Sequence, residues 1–342
     1  MSFDLLKTEI IDKNLCEGCG LCAGFCKAIT LENGTPNLTG RCMLRRGSKN
    51  CGLCYELCPQ AHPAVVSTQD FSPLGIASVQ AKDEKILEIA SNGGFVTTLL
   101  RYLIQKKKIM AAVAVTGEKR SPVGLTVTSV KDVKKLAGTR YSPSGVLNEF
   151  AEALRTHGRD IAVVGLPCEL RGVKRVEDRL GLNVLKIGLF CSNNNRMNEE
   201  GKIEKLGSCE HCTDFFALNA DLSCGFAGSE KGYTTVIATT ERGKELLEKT
   251  LDANLFKSKE PDMTKVKAAQ TRKSKREIAV PAPTLREKVL EGLSSDPLEM
   301  NDLASKIGVK PDDIIYHLLI LQHMGKVSSS QTDPYSLAWR LA

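Results

Sequence analysis

The chain has no apolar run approaching the roughly 18 residues that a membrane-spanning helix needs. Its first residues, MSFDLLKTEIIDKN, carry acidic side chains where an export signal would carry basic ones. Neither a span nor a secretory leader is expected, and a cytoplasmic location is. Aromatic residues are scarce, 5% of the chain with a single Trp, so aliphatic side chains must fill most of the core. No G-x-G-x-x-G fingerprint is present, which disfavours a nicotinamide cofactor. The histidines, His62, His157, His211, His317 and His323, are scattered, and each reads as a structural residue rather than part of a catalytic array. Charge of neither sign dominates. The formal net of +7 is modest and gathers in runs such as QKKKI (105–109) and TRKSKR (271–276), which suits an anionic cofactor or an acidic partner protein without indicating nucleic acid.

Cysteine, by contrast, is abundant, at 13 residues. In a chain with no export signal that number points to metal or redox chemistry before disulfides. Cys16, Cys19, Cys22, Cys26, Cys42, Cys51, Cys54 and Cys58 precede residue 60, while Cys168, Cys191, Cys209, Cys212 and Cys224 lie between 168 and 224. CEGCGLCAGFC fits the C-x2-C-x2-C-x3-C spacing of a [4Fe–4S] loop. CMLRRGSKNCGLCYELCP fits the same pattern after an insertion between its first two cysteines, and keeps the proline after the last. In two-cluster ferredoxins the fourth ligand of each cube comes from the other motif. By that rule Cys16, Cys19, Cys22 and Cys58 hold one cluster, and Cys42, Cys51, Cys54 and Cys26 hold the other. Zinc sites use paired CxxC motifs, and the triple spacing would leave a surplus cysteine. Lys27 replaces the proline usual after the first motif, which alters the local turn without removing a ligand.

From about Ile86 helical and strand patterns alternate. KILEIASNGGFVTTLLRYLIQKKKI and VLNEFAEALRTHG have helical periodicity, whereas MAAVAV, DIAVVGLP and NVLKIGLF read as buried strands. Such alternation implies an α/β domain with ligands at the carboxyl ends of its strands. Residues 254–282 form a basic segment read as a helix and then a linker at VPAP. Three helical stretches and a hairpin-like tail follow, a winged-helix pattern. From Pro281 to Ala342 six basic residues face eight acidic ones, a net of −2, and the would-be recognition helix opens on KPDD. Both features argue against duplex binding and for a protein-docking module.

SNGGFVTTLLRYLIQKKKIMAAVAV, AGTRYSPSG, VGLPCELRGVKR, IGLFCSNNN and GSEKGYTTVIATTERG, spread from about Asp83 to Arg276 in this order, resemble the beta subunits of coenzyme F420 hydrogenases and dehydrogenases. The resemblance implies a flavoprotein that exchanges hydride between coenzyme F420 and FAD, with [4Fe–4S] clusters passing single electrons to or from a hydrogenase, dehydrogenase, reductase or ferredoxin. Carried onto this sequence, Ser91, Asn92, Gly93 and Gly94 approach FAD at a helix start, a turn that would otherwise cap a helix without any ligand. Thr139, Arg140, Tyr141 and Ser142 form a second FAD contact, with Arg140 against the diphosphate, or else a surface turn. Gly165, Leu166 and Pro167 face the flavin, and Arg171 and Lys174 attract the anionic tail of F420, unless they line a solvated helix face. Cys168, Cys191, Cys209 and Cys212 hold a third [4Fe–4S] cluster, and Cys224 is left as a core thiol. No residue is expected to act as an acid–base catalyst. The expected architecture is a mixed α+β and α/β multidomain chain: a two-cluster ferredoxin-like domain (1–70), an α/β FAD- and F420-binding domain of beta-subunit type (83–277) and a winged-helix-like domain (282–342). The competing functions are a redox-sensing DNA-binding regulator and an electron relay with no F420 activity.

Overall fold

The structure, a computed structural model, describes residues 2–42, 51–63, 66, 72–197, 202–279, 283–323, 325–333 and 336–342. The insertion expected between Cys42 and Cys51 falls outside the described residues, as does most of the VPAP linker.

The chain opens with α1 (Ser2–Leu6), a π-helical turn (Lys7–Ile11), α2 (Leu21–Phe25), the hairpin β1 (Ile29–Glu32) and β2 (Thr35–Leu38), and α3 (Leu53–Glu56). The hairpin turns at Asn33 and Gly34, both at positive φ, as a two-residue turn of the primed kind requires. The elements that follow are β3 (Gly75–Ala81), α4 (Glu84–Leu87), α5 (Phe95–Gln105), β4 (Ala111–Gly117), β5 (Pro122–Val127), α6 (Val146–His157), β6 (Ile161–Gly165), α7 (Pro167–Leu180), β7 (Leu185–Leu189), β8 (Asn195–Met197), β9 (Ile203–Lys205), β10 (Leu222–Gly225), β11 (Thr234–Ala238), α8 (Glu241–Asp252), β12 (Phe256–Lys259) and α9 (Met263–Ser274).

Eight of these strands form one sheet in the order β12-β3-β11-β10-β7-β6-β4-β5. The four central strands β10, β7, β6 and β4 run parallel, and the flanking pairs are antiparallel. Parallel strands are covered on both faces and are therefore apolar without alternation. Ala112 and Ala114 of β4 and Ala162 and Val164 of β6 enter the core beneath α5, with Phe95, Leu99 and Leu103. Ala111, Val113, Ile161 and Val163 point the other way, onto Val146, Leu147 and Phe150 of α6 and Leu170 and Val173 of α7. Leu21 of α2 and Leu57 belong to this second core, so the first cysteine segment is packed directly on the sheet's helices.

The C-terminal part comprises α10 (Leu285–Gly292), β13 (Leu298–Glu299), α11 (Met300–Ile307), α12 (Pro311–His323), β14 (Val327–Asp333) and β15 (Ser336–Leu341). Its strands form an antiparallel sheet in the order β13-β15-β14. Trp339 is buried among Val289, Leu303, Ile314, Leu318 and Leu321, whereas Leu319 of the apolar run on α12 is exposed. Polar contacts seat this part on the cysteine segment. Glu56 pairs with Arg179 at 2.8 Å and also with Arg286, and His62 Nδ1 lies 2.8 Å from Glu287 Oε1. Burial alone would raise the Glu287 carboxyl, but hydrogen bonds from His62 and Thr284 outweigh it and hold the group at about 2. Among the described residues no helix is long and apolar enough to cross a membrane.

Candidate functional site

The parallel strands end on one side of the sheet, and there a cavity of about 470 Å³ opens, a size typical of small-molecule sites. Val164 and Gly165 of β6, Leu189 of β7, and Cys224 and Gly225 of β10 line it from below. Ser91, Asn92 and Gly94 lead into α5 on one wall, and Thr139, Arg140, Tyr141 and Ser142 form the other. The two walls are clipped together where Thr139 Oγ1 donates to Ser91 Oγ at 2.8 Å. Gly94 caps α5 at φ 71°, so unpaired amides of the first helical turn are available beside the cavity, a setting that favours phosphate. Phe190 and Phe215 also line the cavity, their ring centroids 5.3 Å apart. A Cβ at Gly225 would lie 2.4 Å from the Phe190 ring, so glycine lets that ring rest on the strand. Phe226 stands at the cavity lip with 73% of its surface exposed.

Cys168, Cys191, Cys209 and Cys212 enclose one small void next to the cavity. The two spaces share Leu166, Glu169, Cys191 and Asn194 as a common wall. Cys168 sits in the first turn of α7, Cys191 follows β7, and Cys209 and Cys212 come from the loop after β9. Burial pushes the Cys168 thiol well above its ordinary value and Cys191 up to about 12. Asn194 donates its backbone N–H to Cys209 Sγ at 3.2 Å, the kind of amide contact that stabilises a thiolate. Glu169 Oε2 accepts from the Leu166 N–H at 2.7 Å. Burial nonetheless lifts this carboxyl to about 8, and Glu17 adds to the rise.

A second void is lined by Cys16, Cys19, Cys22 and Cys58, the set that the crossing rule groups together. Glu17 and Gln60 border both voids, and Gln60 Nε2 donates to Glu17 Oε2 at 2.7 Å. Burial raises Cys16 to about 11 and Cys58 to about 12, while backbone amides of Gly18, Gln60 and Ala61 act in the opposite direction on these sulfurs. Gly18 and Gly20 have φ of 67° and 85°, and side chains there would collide with Pro143 and with the Gly145 carbonyl. Leu147 N–H donates to the Cys19 carbonyl at 2.8 Å. The TRYSPSG turn thus touches the cavity at one end and the first cysteine loop at the other. Cys26 and Cys54 share an apolar cluster with Cys16, Cys22 and Cys58, and Cys42 is buried. All 13 cysteines are free thiols. Among the described residues no three His, Cys, Asp or Glu side chains are gathered as a single ion would gather them. An iron–sulfur cube instead needs four thiolates spread around a body of its own. The two cysteine voids, each lined by four largely buried thiols and supplied with amide donors to sulfur, fit that requirement.

Several expected contacts lie elsewhere. Gly93 turns away from the cavity, and a Cβ there would lie 2.2 Å from the Val79 carbonyl and 2.7 Å from the Thr234 nitrogen, so its smallness serves strand packing. Pro167 borders the Cys168 void rather than the cavity. Arg140 stays on the cavity wall, where Nε and Nη1 donate to the carbonyls of Gly117, Ala137 and Gly138 and order the turn. Arg171 is buried and donates to the Pro59 carbonyl at 2.9 Å. Lys174 pairs with Asp178 at 2.7 Å on the outer face of α7. Neither reaches the cavity. Cys224 is buried, is raised to about 12 by burial, and donates to the Gly188 carbonyl, as a core thiol does.

Lys273 was not singled out by sequence, because TRKSKR reads there only as one of the basic runs. It is 3% exposed and borders the Cys168 void. Burial depresses this ammonium, but the neighbouring cysteines Cys212, Cys191 and Cys168 outweigh that effect and raise it. Val266, Ala269, Gln270 and Lys273 are the buried positions of α9, an i, i+3, i+4, i+7 stripe that could have revealed it.

The fold is shared with a chain of the F420-reducing [NiFe] hydrogenase complex from Methanosarcina barkeri, with a TM-score of 0.53 and 21% identity over 60% of this chain and 89% of that one. The N-terminal signature of the coenzyme F420 hydrogenase/dehydrogenase beta subunit matches residues 76–150, and the C-terminal signature of the same protein matches residues 202–264. The coenzyme F420-dependent sulfite reductase of Methanocaldococcus jannaschii is 30% identical over 70% of this chain, which spans only 46% of that relative. An F(420)H(2) dehydrogenase subunit of Methanosarcina mazei is 23% identical over 71% of this chain and 84% of its own length. The chain belongs to the family of coenzyme F420 hydrogenase/dehydrogenase beta subunits.

Proposed function

We propose that this chain is an iron–sulfur flavoprotein subunit that exchanges a hydride between coenzyme F420 and FAD and passes electrons singly to or from a partner redox protein. The observation that carries the reading is contiguity. The cavity shares a wall with the Cys168 void, and that void shares Glu17 and Gln60 with the Cys16 void. When bound, FAD supplies two-electron exchange with the deazaflavin and one-electron exchange with [4Fe–4S] clusters. Ser91, Asn92 and the first amides of α5 bind the phosphates, and the Thr139–Ser91 clip fixes the distance between the two binding turns. Phe190 and Phe215 keep water from the inner wall, and Phe226 at the lip offers a face for the incoming ring. Cys168, Cys191, Cys209 and Cys212 hold the cluster beside the cavity. Cys16, Cys19, Cys22 and Cys58 hold the next, and Cys26, Cys42, Cys51 and Cys54 the outermost.

The partner is a hydrogenase, dehydrogenase, reductase or ferredoxin. The C-terminal part serves docking rather than DNA contact, since Asp312 and Asp313 open α12. The test is anaerobic mixing of the purified chain with reduced F420, with flavin absorbance and cluster electron paramagnetic resonance followed together, and with NADH and NADPH as controls. Bleaching followed by a cluster signal with F420 alone is expected. A colourless preparation, or a flavin that stays oxidised, refutes the proposal.

A further inference from the structure

A lysine buried beside four cysteines raises a question of charge. Lys273 Nζ donates to the Cys191 carbonyl and to the Asp214 carbonyl, each at 2.7 Å. These bonds take two of its three hydrogens and leave its charge unmatched by the carbonyls, and burying an ammonium without a counter-charge costs several kcal/mol. The ionisable groups that face it are Cys212, Cys191 and Cys168, with the buried Asp214 carboxyl also within its field. Glu17 and Gln60 flank both voids, so the difference between them is the cation: Lys273 lines the Cys168 void, and no lysine or arginine lines the void bordered by Cys16. Helix α9 is held in place to present this charge. Gln270 Nε2 donates to the Thr213 carbonyl at 2.9 Å and its Oε1 accepts from the Phe215 N–H at 2.9 Å. Beyond the helix, Arg276 donates to the Cys209 carbonyl at 2.6 Å.

We infer that Lys273 is a positioning residue whose fixed positive charge sets the reduction potential of the cluster held by Cys168, Cys191, Cys209 and Cys212, favouring its reduced form. The inference rests on the third cluster of the proposed function. A cation fixed in a buried position on the lining of the site stabilises an added electron, and no rearrangement is needed when the electron arrives. The site beside the cavity thereby becomes the preferred first stop for an electron leaving it.

The test uses the full-length chain, prepared anaerobically, as wild type, Lys273→Met, Lys273→Gln and Lys273→Arg. Iron per chain is measured, and each cluster is titrated by electron paramagnetic resonance against a mediator-buffered reductant. The third centre is identified as the signal absent from Cys168→Ser. In the neutral variants the reduction equilibrium of that centre should fall tenfold or more, about 59 mV for one electron, and Lys273→Arg should recover most of it. If the neutral variants lose the third centre and Lys273→Arg keeps it, the need for the charge is also shown. An unmoved potential in both neutral variants overturns the inference, as does loss of the centre in Lys273→Arg too, since Lys273 would then serve only shape. A wild-type chain with about eight irons, two cubes' worth, refutes the third cluster itself and is distinct from either outcome.

Discussion

Replacing Gly93 with alanine separates two roles for the SNGG turn, ligand contact and strand packing. The added Cβ would lie 2.2 Å from the Val79 carbonyl of β3, 2.7 Å from the Thr234 nitrogen of β11 and 3.0 Å from the Tyr233 carbonyl carbon. All three are backbone atoms, and Val79 and Thr234 are partners in an antiparallel ladder, so no rotamer change relieves the overlap. Gly93 also accepts from the Ala81 N–H at 2.8 Å and donates to Thr234 Oγ1 at 3.0 Å, which pins the turn against the sheet. Overpacking of this kind costs about 1–3 kcal/mol, and contact with rigid backbone places it near about 3. For a domain of this size each kcal/mol lowers Tm by about 2–4 °C, so Gly93→Ala should lower it by about 6–12 °C. Thermal unfolding of the flavin-free chain under reducing conditions measures the shift, and a flavin titration of the same protein measures binding. An unchanged Tm together with a flavin Kd weakened tenfold would show that the glycine serves the ligand and that the packing argument is wrong.

Cys168→Ser should lower iron from about twelve to about eight per chain while leaving flavin bleaching by reduced F420 intact, and equal iron in both proteins refutes a third cluster. Phe226→Ala removes a side chain that is 73% exposed, so stability should stay within about 0.5 kcal/mol. The KM for F420 should rise about two- to tenfold, and an unchanged KM would remove the ring from the binding face. Glu287 is held at about 2 against an ordinary 4.5. Its contribution to stability is therefore complete above pH 4.5 and is lost as pH falls toward 2. Glu287→Gln should flatten that acid limb in a plot of Tm against pH, and a superimposable limb in wild type and variant counts against the contact.

The sequence was legible where the physics is local. MAAVAV, DIAVVGLP and NVLKIGLF read as strands because their residues are buried on both faces, and they became β4, β6 and β7. β12 was hidden, since only Phe256 of its four residues is buried and its lysines made the segment read as helix. β3, paired with both β11 and β12, was likewise not read, although ASVQA alternates apolar and polar residues and buries Ala77, Val79 and Ala81. At the site, linear neighbours misled. Arg171 and Lys174 follow GLPC closely, but α7 carries one inward onto Pro59 and the other out to Asp178. A helix displays successive residues on different faces, so nearness in sequence to a strand end does not give access to the cavity above it. Lys273 was missed for the opposite reason. Its neighbours Arg272 and Lys275 define a charged run, while its membership in the buried stripe is visible only at helical spacing.

The contacts between the cysteine segment and the sheet decide whether the voids hold fixed positions relative to the cavity. A Cβ at Gly24 would lie 2.7 Å from Ala151 Cβ, and one at Gly172 would lie 3.0 Å from Leu21 Cδ2. Helices α2, α6 and α7 therefore meet at a distance that only small residues permit. Arg155 adds a bond from Nη1 to the Gly24 carbonyl at 2.9 Å, and Arg171 adds one to Pro59, directly after Cys58. An interface with interlocked backbone and shared core residues lacks the slack of a tethered domain. The separation between the Cys16 void and the Cys168 void is accordingly a property of the packed core rather than of a linker. Changes at Gly24 or Gly172 should thus alter the relation between the two voids before they alter either void by itself.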